Sequence, residues 1–225
     1  MEMKLNEALE ILEDAGFVAE EEATEDIEKM AAISPSDKPY LDVSVFSTWK
    51  ARVPWLLLLM ISATFTGQII SKFETSLAIL PILTAYIPML MDTGGNAGSQ
   101  ASVTIIRSLS LNQVNFKDIG KVIWKELRVS MIIGFTLALA NFAKLILIDQ
   151  MLLKNNAVTT SVAVVICLTI FMIVVVAKFI GCTLPIITKK LGFDPTVMAS
   201  PFITTIVDAL GLIVYFEVAT HMLGI

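Results

Sequence analysis

Asp208 is a carboxylate near the middle of the apolar run Val197–Val218. A lone charge at that depth of a bilayer costs about 2.5–3.5 kcal/mol on insertion scales, so it must face a partner or water. Thr204 and Thr205 lie one turn before it, Pro201 two turns before and Gly211 three residues after, a small-and-polar stripe on an otherwise apolar helix. A second polar set lies within Leu77–Arg107, where Asn96 and Gln100, four apart, put two amide oxygens on one helical face. Asp92 and the pair Gly94-Gly95 come just before them. Carboxylate, amide and hydroxyl oxygens at membrane depth read as a polar path through an apolar medium.

Each of these residues also has a plainer reading. Gly94, Gly95 and Gly98 could serve close helix packing, with Asn96 and Gln100 bonding across helices. Asp208 could pair with Lys178 or Lys144, although Lys178 is near enough to a helix end to snorkel. Asp194-Pro195 suits a helix N-cap. Asp92 could bind cations or cap a resumed helix, and Glu126, next to Arg128, reads as an interfacial charge. Glu217 and the single histidine, His221, approach one end of the last segment, and one histidine forms no zinc or proton-relay set.

The elements that must position these residues follow from hydropathy. With a mean hydropathy of +0.77 and 56% hydrophobic residues over 225, the chain is an all-α polytopic membrane protein. Five apolar segments are expected, at Val53–Ile70, about 76–107, about Val129–Ile148, Val158–Ile187 and Val197–Val218, with Trp55 an interfacial anchor. As an unbroken helix, Leu77 to Arg107 would span about 46 Å, against a hydrocarbon slab of about 30 Å. The helix either projects from the bilayer or is interrupted, and Gly94-Gly95 is the weak point. Irregular backbone there survives only if buried in protein or lining a cavity.

The net charge of −5 is unevenly spread: the first fifty residues hold thirteen acids and four bases, the rest eight acids and twelve bases. The expected domains are therefore an acidic cytoplasmic segment, 1–50, and a transmembrane domain, 51–225. Helices are expected over residues 3–15 and from Thr24, as N-cap, to about Ile33. Lys50, Arg52, Arg107, Lys117, Lys121, Lys125, Arg128, Lys189 and Lys190 cluster in one set of loops, while the opposite set holds Lys72 and Lys154. By the positive-inside rule the amino terminus is cytoplasmic and the carboxyl terminus outside. Cys167 and Cys182 share one apolar segment and read as packing residues. The acidic amino terminus does not resemble a cleavable signal, and no nucleophile–base set, Walker loop or dinucleotide fingerprint is present. Nucleic acid and organic cofactors are not expected.

The run Ile87-Pro88-Met89-Leu90-Met91-Asp92-Thr93-Gly94-Gly95-Asn96-Ala97-Gly98-Ser99-Gln100, with Arg107 following, resembles the second transmembrane helix of the MgtE family of magnesium transporters. Arg52-Val53-Pro54-Trp55-Leu56, Asp194-Pro195 and Pro201–Asp208 agree in order and spacing, so the resemblance covers roughly residues 50–225. It implies a homodimeric, Mg²⁺-selective channel with five helices per subunit in the cell membrane, the bacterial or archaeal inner membrane. It also places the matching asparagine and glycines beside the aspartate in the pore, and makes Asp194 a candidate cation site at the inner mouth.

Mg²⁺ takes near-octahedral oxygen coordination and dehydrates reluctantly. A few fixed oxygens would therefore hold it through its own waters: Asp208, Asn96, Asp92, Thr204 and Thr205, with freed carbonyls near Gly94, Gly95 or Pro201. Two-fold symmetry would set two Asp208 carboxylates on one axis. Glu21–Met30 resembles the segment that joins a cytosolic Mg²⁺-sensing module to the membrane domain in larger members, a module that fifty residues cannot contain. The expected function is gradient-driven Mg²⁺ transport rather than enzymatic catalysis. The alternatives are a broader divalent-cation transporter, a cation-coupled exchanger, and a Mg²⁺-dependent membrane enzyme, for which the membrane acids are too scattered.

Overall fold

The computed structural model describes residues 25–31, 33–35, 39–198 and 200–225, and among them every regular element is helical. The expected helix over 3–15 lies outside the described residues, as does Thr24. A helical segment covers 25–30 and ends before Ile33.

Helix α1 (Val45–Lys72) begins where the Ser44 hydroxyl accepts a hydrogen bond from the Ser47 amide at 3.1 Å. That is more than two turns before the apolar run expected to start at Val53, because a cap fixes where a helix begins and hydropathy marks only where lipid does. The domain boundary expected at 50/51 therefore falls inside α1. Trp55 lies within the helix, while Phe46 and Trp49 stack near its start with ring centroids 5.3 Å apart.

The second expected segment is two helices, α2 (Glu74–Ile79) and α3 (Ile82–Ser110). Leu80, at φ −131° and ψ 75°, leaves the helical region ahead of Pro81, as the residue before a proline tends to do. The interruption expected at Gly94-Gly95 does not occur: α3 runs unbroken through both glycines. Helical hydrogen bonding there uses the carbonyls that an interruption would have freed.

Helix α4 (Ile119–Lys144) continues into a π-helical stretch, Leu145–Leu152, and α5 (Thr160–Lys190) and α6 (Ser200–Leu223) complete the chain. The wider π turn brings residues five apart onto one side, and Lys144 and Asp149 pair there at 2.8 Å. Four stretches are long and apolar enough to cross a membrane: Val45–Lys72, Phe116–Leu152, Thr160–Lys190 and Pro201–Leu223. α3 has the length, but its polar run lowers its hydropathy.

α5 is the central helix. Val162, Val165, Ile166, Ile170, Ile173, Val174 and Ala177 are buried along it, and α3, α4 and α6 pack around it. α1 packs chiefly on α6 and buries no residue of its own. The ends of α3 and α5 lie together, and both close with the same motif. Gln113 N–H bonds Ser108 O and Asn112 N–H bonds Leu109 O, while Phe193 N–H bonds Thr188 O and Gly192 N–H bonds Lys189 O. Asn112 (φ 53°) and Gly192 (φ 84°) take the left-handed position this motif requires. The Lys189 ammonium ties the two ends by donating to Leu109 O at 2.7 Å.

Candidate cation site

The glycines of α3 set the site by letting α6 lie against it. A Cβ added at Gly98 would stand 2.8 Å from Ile203 Cγ2, one at Gly95 2.9 Å from Thr204 Cγ2, and one at Gly94 3.0 Å from Val207 Cγ1. Further along, Gly211 of α6 receives Met91, whose Cε would be 3.2 Å from an added Cβ. Residue numbers rise along one helix as they fall along the other, so the pair is antiparallel. Close packing of small residues, one of the two readings left open by the sequence, therefore accounts for Gly94, Gly95 and Gly98.

This register, with Gly94 against Val207 and Met91 against Gly211, sets Asp92 opposite Asp208. The proposed ion pairs of Asp208 are not formed, because both candidate lysines are engaged elsewhere: Lys144 with Asp149 at 2.8 Å and Lys178 with Glu126 at 3.7 Å. Asp208 thus faces a second acid with no ion-pair partner among the described residues. Like charges brought together at membrane depth are costly unless water or a cation stands between them. Asp208 lies eight residues after the start of α6 and fifteen before its end. It is nearer one face than the expected midpoint, since Pro195–Met198 form a separate 3₁₀ turn.

Thr204 and Thr205 both donate their hydroxyl hydrogens to Pro201 O, at 2.9 and 3.0 Å. Their hydroxyl oxygens keep lone pairs free to accept, while the methyl of Thr204 is the group that meets Gly95. Asp194 precedes the 3₁₀ turn and caps it. Its Oδ1 accepts from the Thr196 amide at 2.9 Å and the Thr196 hydroxyl at 2.6 Å, and its Oδ2 lies 3.4 Å from the Lys29 ammonium. Partial burial works against the charged form, yet the Thr196 hydrogen bonds and Lys29 hold the carboxyl below its ordinary range. Lys29 also pairs with Glu25 at 3.1 Å, so the segment before α1 is fastened to the loop that enters α6.

Asn96 and Gln100 open onto a groove of about 830 Å³, lined also by Ser99, Thr104, Glu126 and Lys178. One expectation is corrected here: Lys178 does not snorkel, being 5% exposed. Glu126, expected as an interfacial charge, has a side chain 13% exposed and pairs with Lys178. Lys178 is a charge within the expected segment Val158–Ile187, a signal outweighed in the sequence by its nearness to a helix end, whereas Glu126 precedes the expected start at Val129. Among the described residues no three Asp, Glu, His or Cys side chains converge as a metal cage. A cation at Asp92 and Asp208 would therefore be held by two carboxylates and its own waters.

The profile of the MgtE family, described as a divalent cation transporter, matches residues 87–218. Among curated proteins, the magnesium transporter MgtE of Thermus thermophilus is 33% identical over 94% of this chain and 45% of its own length. That of Bacillus subtilis is 36% identical over 88% of this chain and 42% of its own length. That of Enterococcus faecalis is 27% identical over 93% and 44%. The chain spans under half the length of each of these relatives.

Proposed function

The chain belongs to the MgtE family of divalent cation transporters, and on that premise we propose that it conducts Mg²⁺ passively through a two-fold homodimeric channel. It is a multi-pass cell-membrane protein with four spans apparent by composition, and α3 supplies the fifth crossing in this reading. At 29 residues α3 would be about 43 Å long. The charge bias of the loops supports a cytoplasmic amino terminus and an outer carboxyl terminus. Residues 1–50 would then be an acidic cytoplasmic segment and 51–225 the pore domain.

The observation that carries this reading is Asp208 facing Asp92 with no ion-pair partner among the described residues. A dimer axis beside α3 and α6 would gather two such pairs. Their oxygens would hold a hydrated Mg²⁺ without stripping its shell, which keeps binding weak enough for release. Thr204 and Thr205 would bond the ion's waters, Gly94 and Gly95 would let α6 approach, and Asp194 would stand at the inner mouth, while Asn96 lines the neighbouring groove. An inside-negative potential supplies about 2.3 kcal/mol per charge per 100 mV, twice that for a dication. No catalytic step is assigned. Transport of other divalent cations is the second reading, favoured by the family's broader description.

Reconstitution in liposomes tests the proposal. Mg²⁺ should enter when an inside-negative potential is imposed, well ahead of Ca²⁺ and K⁺. Absence of divalent flux in a well-assembled preparation would overturn it.

A further inference from the structure

The Glu126–Lys178 pair is unusual in its looseness and its setting. The ammonium and carboxylate lie 3.7 Å apart, with side chains 6% and 13% exposed, whereas a charge-assisted hydrogen bond closes to about 2.7–2.9 Å. Replacing a buried ion pair with apolar residues is often neutral or stabilising, so stability alone is a poor reason for this one. Nor does it sit in a packed core. It forms a wall of the 830 Å³ groove that Asn96 and Gln100 share. No side-chain hydrogen bond engages either amide among the described residues, while the Thr104 hydroxyl is turned back onto Gln100 O at 2.7 Å. Two side-chain amides and a carboxylate residue therefore line a space far larger than six waters, about 180 Å³ at about 30 Å³ each.

The groove lies toward the face where α3 and α5 end and α4 begins. Glu126 is seven residues into α4, Lys178 twelve before the end of α5, and Gln100 ten before the end of α3. These positions are about 10–18 Å from the helix ends.

We propose that Glu126 is the carboxylate of a second divalent-cation site, shared with Asn96 and Gln100, in which the Lys178 ammonium is a tethered cation that an incoming ion displaces. The inference rests on the transport reading above and deepens it. Lys178 suits this role because its ammonium is a point charge on a flexible stem, able to leave one acceptor for another. A dication attracts the carboxylate twice as strongly as an ammonium does at equal distance. Having to displace that ammonium keeps the net affinity low, and a conducting site must release what it binds.

Two measurements test this. Mn²⁺ binding to the detergent-solubilised chain, read by electron paramagnetic resonance in an Asp208→Asn background, isolates the groove from the first site. Lys178→Met should tighten that binding severalfold, Glu126→Gln should abolish it, and Lys178→Arg should keep it near its starting affinity. Unchanged Mn²⁺ binding in a folded Lys178→Met variant overturns the proposal. The second measurement uses the unaltered chain, so it stands even if Lys178→Met fails to fold. Saturating Mg²⁺ should increase reaction of Lys178 with an amine-directed reagent, read by mass spectrometry of its peptide. Reactivity at Lys178 that Mg²⁺ leaves unchanged overturns the proposal as well. Neither readout depends on flux, so absent flux in liposomes would count against the transport reading alone.

Discussion

Gly181 of α5 lies directly against Gly98 of α3: a Cβ built on Gly181 would overlap the Gly98 carbonyl oxygen. Backbone meets backbone at that crossing, and no side chain can rotate away to make room. Gly181→Ala should therefore destabilise the bundle by about 1–3 kcal/mol, the usual range for overpacking. Thermal unfolding in detergent checks this, and Gly120→Ala is the control, since nothing lies within 4 Å of a Cβ there.

Orientation gives a second prediction. Cysteines placed at Lys154 and Ile225 should react with an impermeant thiol reagent added outside intact cells, and one at Lys121, whose side chain is 86% exposed, only after permeabilisation. The native Cys167 and Cys182 are buried and should stay silent. Labelling of the opposite set would reverse the topology.

The Lys29–Asp194 contact gives a third prediction, with a pH sign. Partial burial opposes it, but hydrogen bonds from Thr196 and the charge of Lys29 hold the Asp194 carboxyl below its ordinary range. The contact should therefore survive acidification that protonates an ordinary aspartate, and fail as pH falls through the lowered value. At the alkaline end, the Glu25 hydrogen bond, against opposing desolvation, raises the ammonium of Lys29. Its contribution is complete below the ordinary lysine value and lost as pH rises through the raised one. Spin labels at Ala31 and Phe193 should report a constant distance between those limits. In Asp194→Asn the acid transition should disappear.

Much of the framework was legible in the sequence because membrane helices announce themselves by hydropathy. The apolar runs mark α1, α4, α5 and α6, with differences at their ends. Those differences, and the break between α2 and α3, have local causes that hydropathy does not carry: the Ser44 cap, the π-helical extension of α4, and the proline at 81. The break expected at Gly94-Gly95 failed for a different reason. Glycine permits an irregular backbone and equally permits a close neighbour, and only the positions of Ile173, Val207 and Thr204 decide between them. The facing of Asp92 and Asp208 and the pairing of Lys178 with Glu126 are tertiary facts. The sequence marks Asp208 as a costly charge, but it does not say which charges meet.

In the proposed channel Asp208, without an ion-pair partner among the described residues and set opposite Asp92, holds the travelling cation. The most direct test is Mg²⁺ uptake into liposomes by Asp208→Asn, compared with the unaltered chain at equal reconstituted amounts. The substitution keeps shape and hydrogen-bonding capacity while removing one negative charge per subunit. Asp208→Asn should lose uptake almost completely with the thermal stability retained or raised, since a repulsion is relieved. Mg²⁺ uptake at the unaltered rate in a folded Asp208→Asn protein would contradict it.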